Sequence, residues 1–252
     1  MHLKVLGCHG GELPDCRSTC FLVDGVLALD AGALTRALDL DELAKVDHVI
    51  LTHSHFDHVK DLPMMADLLV GRRDKPVMVY SSTECIKTLK ANVFNNELWP
   101  DFTAIPNKKN PVFKLKAFKA GATFKAGPYT VKSVPVTHPV ESCGYLISQG
   151  GSTLAMSGDT GPTDKFWKVL NQASSVKALL LETSFPNMLQ GLADISGHLT
   201  PQTLESELKK YSKRNGAEVL LYHLKPPFVS QLKAEVKHLP VKVLELDQTF
   251  EL

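Results

Sequence analysis

The six residues His53-Ser54-His55-Phe56-Asp57-His58 place four side chains able to ligate a metal in one short run. Imidazole nitrogens and carboxylate oxygens suit zinc, and also serve manganese or iron, whereas calcium favours all-oxygen ligation. His53 and His55, two apart in an extended segment, point the same way and can grip one ion. Asp57 and His58, entering a helix, can turn toward a second. An apolar strand is expected over 48–52 and a helix-like stretch over 59–69, so the run sits between strand and helix. The competing reading, a polar loop in which Asp57 merely caps the following helix, does not account for four clustered donors. Isolated histidines such as His2, His48 and His238 read as ordinary surface or core residues.

The rest of the chain has to supply a rigid scaffold. Its 252 residues are enough for one α/β domain, expected to span 1–252. Hydrophobic residues at 44% and charged residues at 22% are ordinary globular values, which exclude a disordered or fibrous chain. Lys and Arg number 28 against 27 Asp and Glu, so no global field draws in nucleic acid or an anionic membrane. An anionic substrate must therefore be held by local charge. No run approaches the roughly 18 apolar residues of a membrane span, and the first residues lack the features of a secretory signal. A cytoplasmic protein is the expectation. Cys8, Cys16, Cys20, Cys85 and Cys143 show no C-x-x-C pairing and read as reduced, packed thiols.

Strands are expected over 3–7, 20–23 and 26–30, the last two joined at an Asp24-Gly25 hairpin signal, then a short helix over 41–45. The stretch from Pro106 to Pro111 reads as an exposed connection between two halves of the fold. Beyond it, strands are expected over 112–118, 129–136, 144–148 and 152–156. Helices over 163–170, 201–212 and 231–238 then alternate with strands over 178–182, 219–223 and 241–244. This order suggests an α+β protein with two sheets face to face and helices outside. Three further candidate ligands follow strands: His138, Asp159 and His223. Gly158 allows close backbone approach beside Asp159.

The order and contexts of these residues resemble the metallo-β-lactamase superfamily over essentially the whole chain. The resemblance implies a four-layer αβ/βα sandwich with two divalent metal ions at one edge of the sheets. It implies His53, His55 and His138 on one metal, Asp57, His58 and His223 on the other, and Asp159 bridging. Asp30 resembles the superfamily's acid that orients ligand histidines, and also reads as a turn-forming Asp. A metal pair lowers the pKa of a shared water, holds it as hydroxide and stabilises an in-line displacement. Redox-active di-iron relatives carry a carboxylate at the position of His55, so hydrolysis is expected, with zinc the default and manganese or iron open.

Two later segments, Glu182-Thr183-Ser184-Phe185-Pro186-Asn187 and Ser196-Gly197-His198-Leu199-Thr200-Pro201, narrow the resemblance. With Gly158-Asp159-Thr160-Gly161-Pro162 they are similar to the class II cyclic-nucleotide phosphodiesterases. Phe56 stands where that family's usual signature has Leu. The implied reaction is hydrolysis of 3′,5′-cyclic nucleotides such as cAMP to 5′-monophosphates by metal-bound hydroxide. Thr200 suits an N-cap and Pro201 a first helical residue, which puts His198 just before a helix N-terminus, a place favourable to an anion. Asp57 and His198 are the candidate catalytic residues, His198 as phosphate binder or proton donor; a structural His fixing the loop is the alternative. Other hydrolases of the superfamily, acting on cyclic dinucleotides, RNA, thioesters or lactones, are the competing enzymes. RNA is disfavoured by the neutral charge balance. A non-catalytic metal- or nucleotide-binding module is the competing class. The apolar segment 94–102 could line a substrate pocket, form a homodimer contact or simply pack in the core.

Overall fold

Runs such as 27–29 and 178–181 are apolar at every position, the composition of strands covered on both faces. The computed structural model, which describes residues 1–212 and 216–252, buries them so. The first sheet contains β1 (His2–Gly7), β2 (Cys20–Val23), β3 (Leu27–Leu29), β4 (His48–Ile50), β5 (Val77–Ser82) and β6 (Phe113–Phe118). The second contains β7 (Thr123–Ala126), β8 (Tyr129–Pro135), β9 (Cys143–Gln149), β10 (Ser152–Met156), β11 (Val176–Glu182), β12 (Glu218–Tyr222) and β13 (Lys242–Val243). The last strand, β14 (Thr249–Glu251), returns to the first sheet beside β1. Strand order is β14-β1-β2-β3-β4-β5-β6 in one sheet and β13-β12-β11-β10-β9-β8-β7 in the other. Each sheet is antiparallel on one side and parallel on the other, changing at β3 and at β10.

Three cores separate four layers. Leu3, Val5, Phe21 and Ile50 meet Tyr145, Leu154, Leu180 and Tyr222 between the sheets. Outside the first sheet, Val49, Leu51 and Val79 pack with residues of α4 (Asp61–Leu68) and α5 (Thr83–Asn92), which follows β5. Outside the second, Leu179 and Leu221 pack with residues of α6 (Asp164–Leu170), α8 (Pro201–Leu208) and α9 (Val229–Glu235). Shorter helices complete the outer layers: α1 (Leu34–Ala37), α2 (Leu40–Leu43), α3 (Phe56–Val59) and α7 (Gln190–Ser196). This is the α+β sandwich expected from the sequence.

Several boundaries differ from expectation. The helix over 59–69 is two pieces, α3 beginning already at Phe56 and α4 following Lys60. The helix over 201–212 ends at Leu208, and the one over 231–238 starts earlier, at Val229. Pro106–Pro111 does not divide the halves: it precedes β6, which pairs with β5 in the first sheet. The change of sheet falls between Phe118 and Thr123 instead. Thr200 caps α8 as anticipated, accepting from the backbone N of Thr203, with Pro201 next. No helix among the described residues is long and apolar enough to cross a membrane.

Candidate metal centre

Asp30 follows β3, His53 and His55 follow β4, His138 follows β8, Asp159 follows β10, Glu182 ends β11 and His223 follows β12. These strands end at one edge of the sandwich, where side chains converge without blocking an approach from outside. The exit of β4 is pinned from both sheets. Leu51 O accepts from Tyr145 Oη at 2.6 Å and from Ser81 Oγ at 3.0 Å, and Cys143 N donates to Thr52 O at 3.1 Å. Gly158, at φ 65°, passes so close to the Cys143 carbonyl that a Cβ would stand 2.8 Å from it.

Ligand atoms lie within 4.8 Å of one another in the sets His53/His55/His138, His53/His58/Asp159 and Asp57/His58/His223. All the histidines, and both aspartates, expected at the site therefore come together. Asp159 Oδ2 is 3.2 Å from His58 Nε2, 3.1 Å from His223 Nε2 and 3.8 Å from His53 Nε2. Asp57 does not cap a helix; its Oδ2 is 3.3 Å from His223 Nε2.

The far side of each ring fixes which nitrogen bears hydrogen. His58 Nδ1 donates to Asp30 Oδ2 at 2.7 Å, and His138 Nδ1 to Gly197 O at 3.0 Å. Thr52 Oγ1 donates to Asp30 and so accepts from His53 Nδ1 at 2.9 Å. Ser184 Oγ donates to Glu182 Oε2 and accepts from His223 Nδ1 at 2.9 Å. The Nε2 atoms of His53, His58, His138 and His223 therefore face the centre. His58 Nε2 and His223 Nε2 are only 3.3 Å apart with carboxylates beside them. Buried His53 Nε2 and Asp159 Oδ1 have no hydrogen-bond partner, a cost of about 1–3 kcal/mol each in a protein interior. Facing imidazole nitrogens, two carboxylates and orphaned acceptors fit divalent cations, whose ligands present this donor set and hold their outer nitrogens in this way.

Protonation follows the same field. Burial opposes charge on His58, yet Asp159 and Asp30 outweigh it and raise its pKa well above the ordinary value. A proton there answers the negative potential that a cation would answer. Burial and neighbouring His58 hold His53 well below its usual value, so it stays neutral. Burial raises Asp159, but His223 and His58 override it and hold the carboxyl well below the usual range.

His198 stands at the rim, its ring centroid 5.1 Å from that of His138 and 5.2 Å from that of His223. Its Nδ1 donates to Glu182 Oε1 at 2.8 Å. Burial would lower His198, but the Glu182 carboxylate raises it above its ordinary value. From the sequence, Glu182 and Ser184 enter only as part of the segment that carries the resemblance, with no site role of their own, although a carboxylate closing the apolar run 178–181 is a visible signal. Thr52, the Gly197 carbonyl and Lys225, whose Nζ is 3.9 Å from Asp57 Oδ2, carried no such signal. A cavity of about 400 Å³ lined by Cys8, His9, Leu224 and Lys233 contains none of the converging donors.

Residues 19–224 match the β-lactamase superfamily domain. A probable 3′,5′-cyclic-nucleotide phosphodiesterase of Yersinia pestis is 26% identical, the alignment covering 88% of this chain and 78% of that protein. The probable metallo-hydrolase YhfI of Bacillus subtilis is 24% identical over 89% of this chain and 87% of its own length. Among solved structures, unliganded yeast PDE1 superposes with a TM-score of 0.83 at 19% identity, covering 100% of this chain and 99% of that one. The match to the superfamily domain spans most of the sequence and every converging donor, so the chain belongs to the β-lactamase superfamily.

Proposed function

We propose that the chain is a dinuclear-metal phosphodiesterase that hydrolyses 3′,5′-cyclic nucleotides to 5′-monophosphates. His53, His55 and His138 would hold one ion, Asp57, His58 and His223 the other, and Asp159 both. The observation that carries this reading is Asp159 Oδ2 within 3.2 Å of both His58 and His223, with the Glu182-held His198 beside them. When bound, a metal pair supplies a strong nucleophile from water and neutralises charge on the phosphoryl group. Asp57, a quarter exposed on the open side, accepts a hydrogen bond from the attacking water and so orients it. Water oxygen joins phosphorus and gives up a proton to solvent as the P–O3′ bond breaks, and the departing O3′ requires a proton. His198 delivers it: Glu182 fixes the ring through Nδ1 and favours its charged form, which leaves the other nitrogen to donate.

The phosphodiesterase-named relatives support the substrate class at low identity. Metal-analysed protein is to be assayed with cAMP, cGMP, cyclic dinucleotides, short RNA, and thioester and lactone substrates. Turnover of cyclic mononucleotides to 5′-monophosphates is the expected result. Turnover confined to RNA or to esters, or nucleotide binding without hydrolysis by fully loaded protein, would overturn the proposal.

A further inference from the structure

Lys225 lies two residues past His223, and its Nζ stands 3.9 Å from Asp57 Oδ2. That separation is too long for a hydrogen bond, and Asp57 is the only carboxylate within ion-pair distance of this ammonium among the described residues. The backbone around it is fixed: Lys225 N donates to Ser184 O at 3.3 Å, and Phe228 N donates to Lys225 O at 2.9 Å. Lys60, three residues past Asp57 in the chain, differs, being committed to Glu12 and Asp61 at 2.8 Å each.

Asp57 is itself committed toward the centre through His223. Once its oxygens serve a cation, Lys225 is left as a fixed positive charge beside like charge, with hydrogen-bond donors unused. An anion between the ammonium and the centre removes that repulsion and takes up the donors. The balance of 28 basic against 27 acidic residues offers no long-range attraction for an anion, so a local cation has to do it. We propose that Lys225 is a phosphate-binding residue, donating to a non-bridging oxygen of the substrate's phosphoryl group. This rests on the phosphodiesterase reading above and adds a recognition element to it.

The test compares metal-loaded wild type, Lys225→Ala and Lys225→Arg. Metal content is measured first, then binding of inorganic phosphate by titration calorimetry, then steady-state kinetics with cAMP. Loss of one charge-assisted hydrogen bond predicts phosphate Kd and cAMP KM about tenfold higher in Lys225→Ala. Lys225→Arg should stay near wild type, and metal content should be equal in all three. The proposal is overturned by an unchanged phosphate Kd in Lys225→Ala, by absence of phosphate binding in the wild type, or by metal loss on removing Lys225. The last result would make it a prop for Asp57. Lys225-dependent phosphate binding in a protein that turns over no cyclic nucleotide would support the phosphate site while removing the phosphodiesterase reading.

Discussion

Asp30 Oδ2 lies 2.7 Å from His58 Nδ1, and both side chains are wholly buried. The same carboxylate accepts from the backbone N of Thr52 at 2.7 Å and from its hydroxyl, so one residue sets the ring of His58 and, through Thr52, that of His53. Asp30 also turns the chain, at φ 59°. The two readings of this residue from the sequence are both present in one side chain.

Asp30→Asn separates them, because Asn tolerates the left-handed backbone while losing the charge. Metal affinity is expected to fall about 10- to 100-fold, as when an outer partner of a ligating histidine is lost. Competition with a chelating dye measures it. Unchanged affinity would leave Asp30 as a turn former only.

Glu182 and His198 should act as one unit. Either Glu182→Gln or His198→Asn is expected to lower kcat/KM for cAMP by about 10² to 10⁴ without changing metal content, the usual size of a lost general acid. The double variant should lose little more than either single one. A p-nitrophenyl phosphodiester, whose leaving group needs no proton, should be hydrolysed nearly as fast by the variants as by wild type. An equal loss on both substrates would instead make His198 a phosphate binder or a structural residue.

The donors were legible in the sequence because each follows an apolar strand and because four of them crowd into 53–58. What positions them was less so. Glu182 meets His198 from 16 residues away, and the Gly197 carbonyl meets His138 from 59 residues away, through contacts that only the packing of the second sheet creates. The strand Val77–Ser82 and helix Thr83–Asn92 were missed although both are regular. The strand's VMVYSS is short and mixed, and the helix gives a modest pattern whose Cys85, Ile86 and Leu89 are recognisable as a buried face only once the sheet beneath them is known. The return of Thr249–Glu251 to the first sheet pairs residues at opposite ends of the chain, which no local pattern encodes.

Removing metal should destabilise the fold as well as stop the reaction. With the carboxylates of Asp57 and Asp159 turned to the centre and His53 Nε2 and Asp159 Oδ1 unpartnered, the buried site is short of positive charge and of donors. A ligand that binds only the folded state adds about 2.7 kcal/mol at 100 times its Kd. Thermal unfolding is therefore expected at a clearly lower midpoint after dialysis against a chelator, restored by zinc or manganese. Apparent metal affinity should fall as pH falls, because the imidazoles must be free of protons to bind. Identical unfolding curves with and without metal would remove the metal-centre assignment.

Gly10 gives the most local test of His223. A Cβ built there would meet His223 Cε1, Nδ1 and carbonyl O at 2.7 Å each. The ring has nowhere to retreat. It lies between the rings of His58 and His198, each with centroids 5.2 Å away, its Nδ1 is tied to Ser184 Oγ, and its backbone N donates to Cys8 O at 2.7 Å. Gly10 does not have a left-handed backbone, so Gly10→Ala tests the contact and not the turn. Overpacking of this kind costs about 1–3 kcal/mol, and displacement of one ligand should weaken metal binding about tenfold or more. Gly191→Ala is the control: nothing lies within 4 Å of its Cβ, and in the helix Gln190–Ser196 it should stabilise by up to about 1 kcal/mol with metal binding untouched. Wild-type metal affinity in Gly10→Ala would mean that the chain at residue 10, and not the His223 ring, yields to the added methyl group.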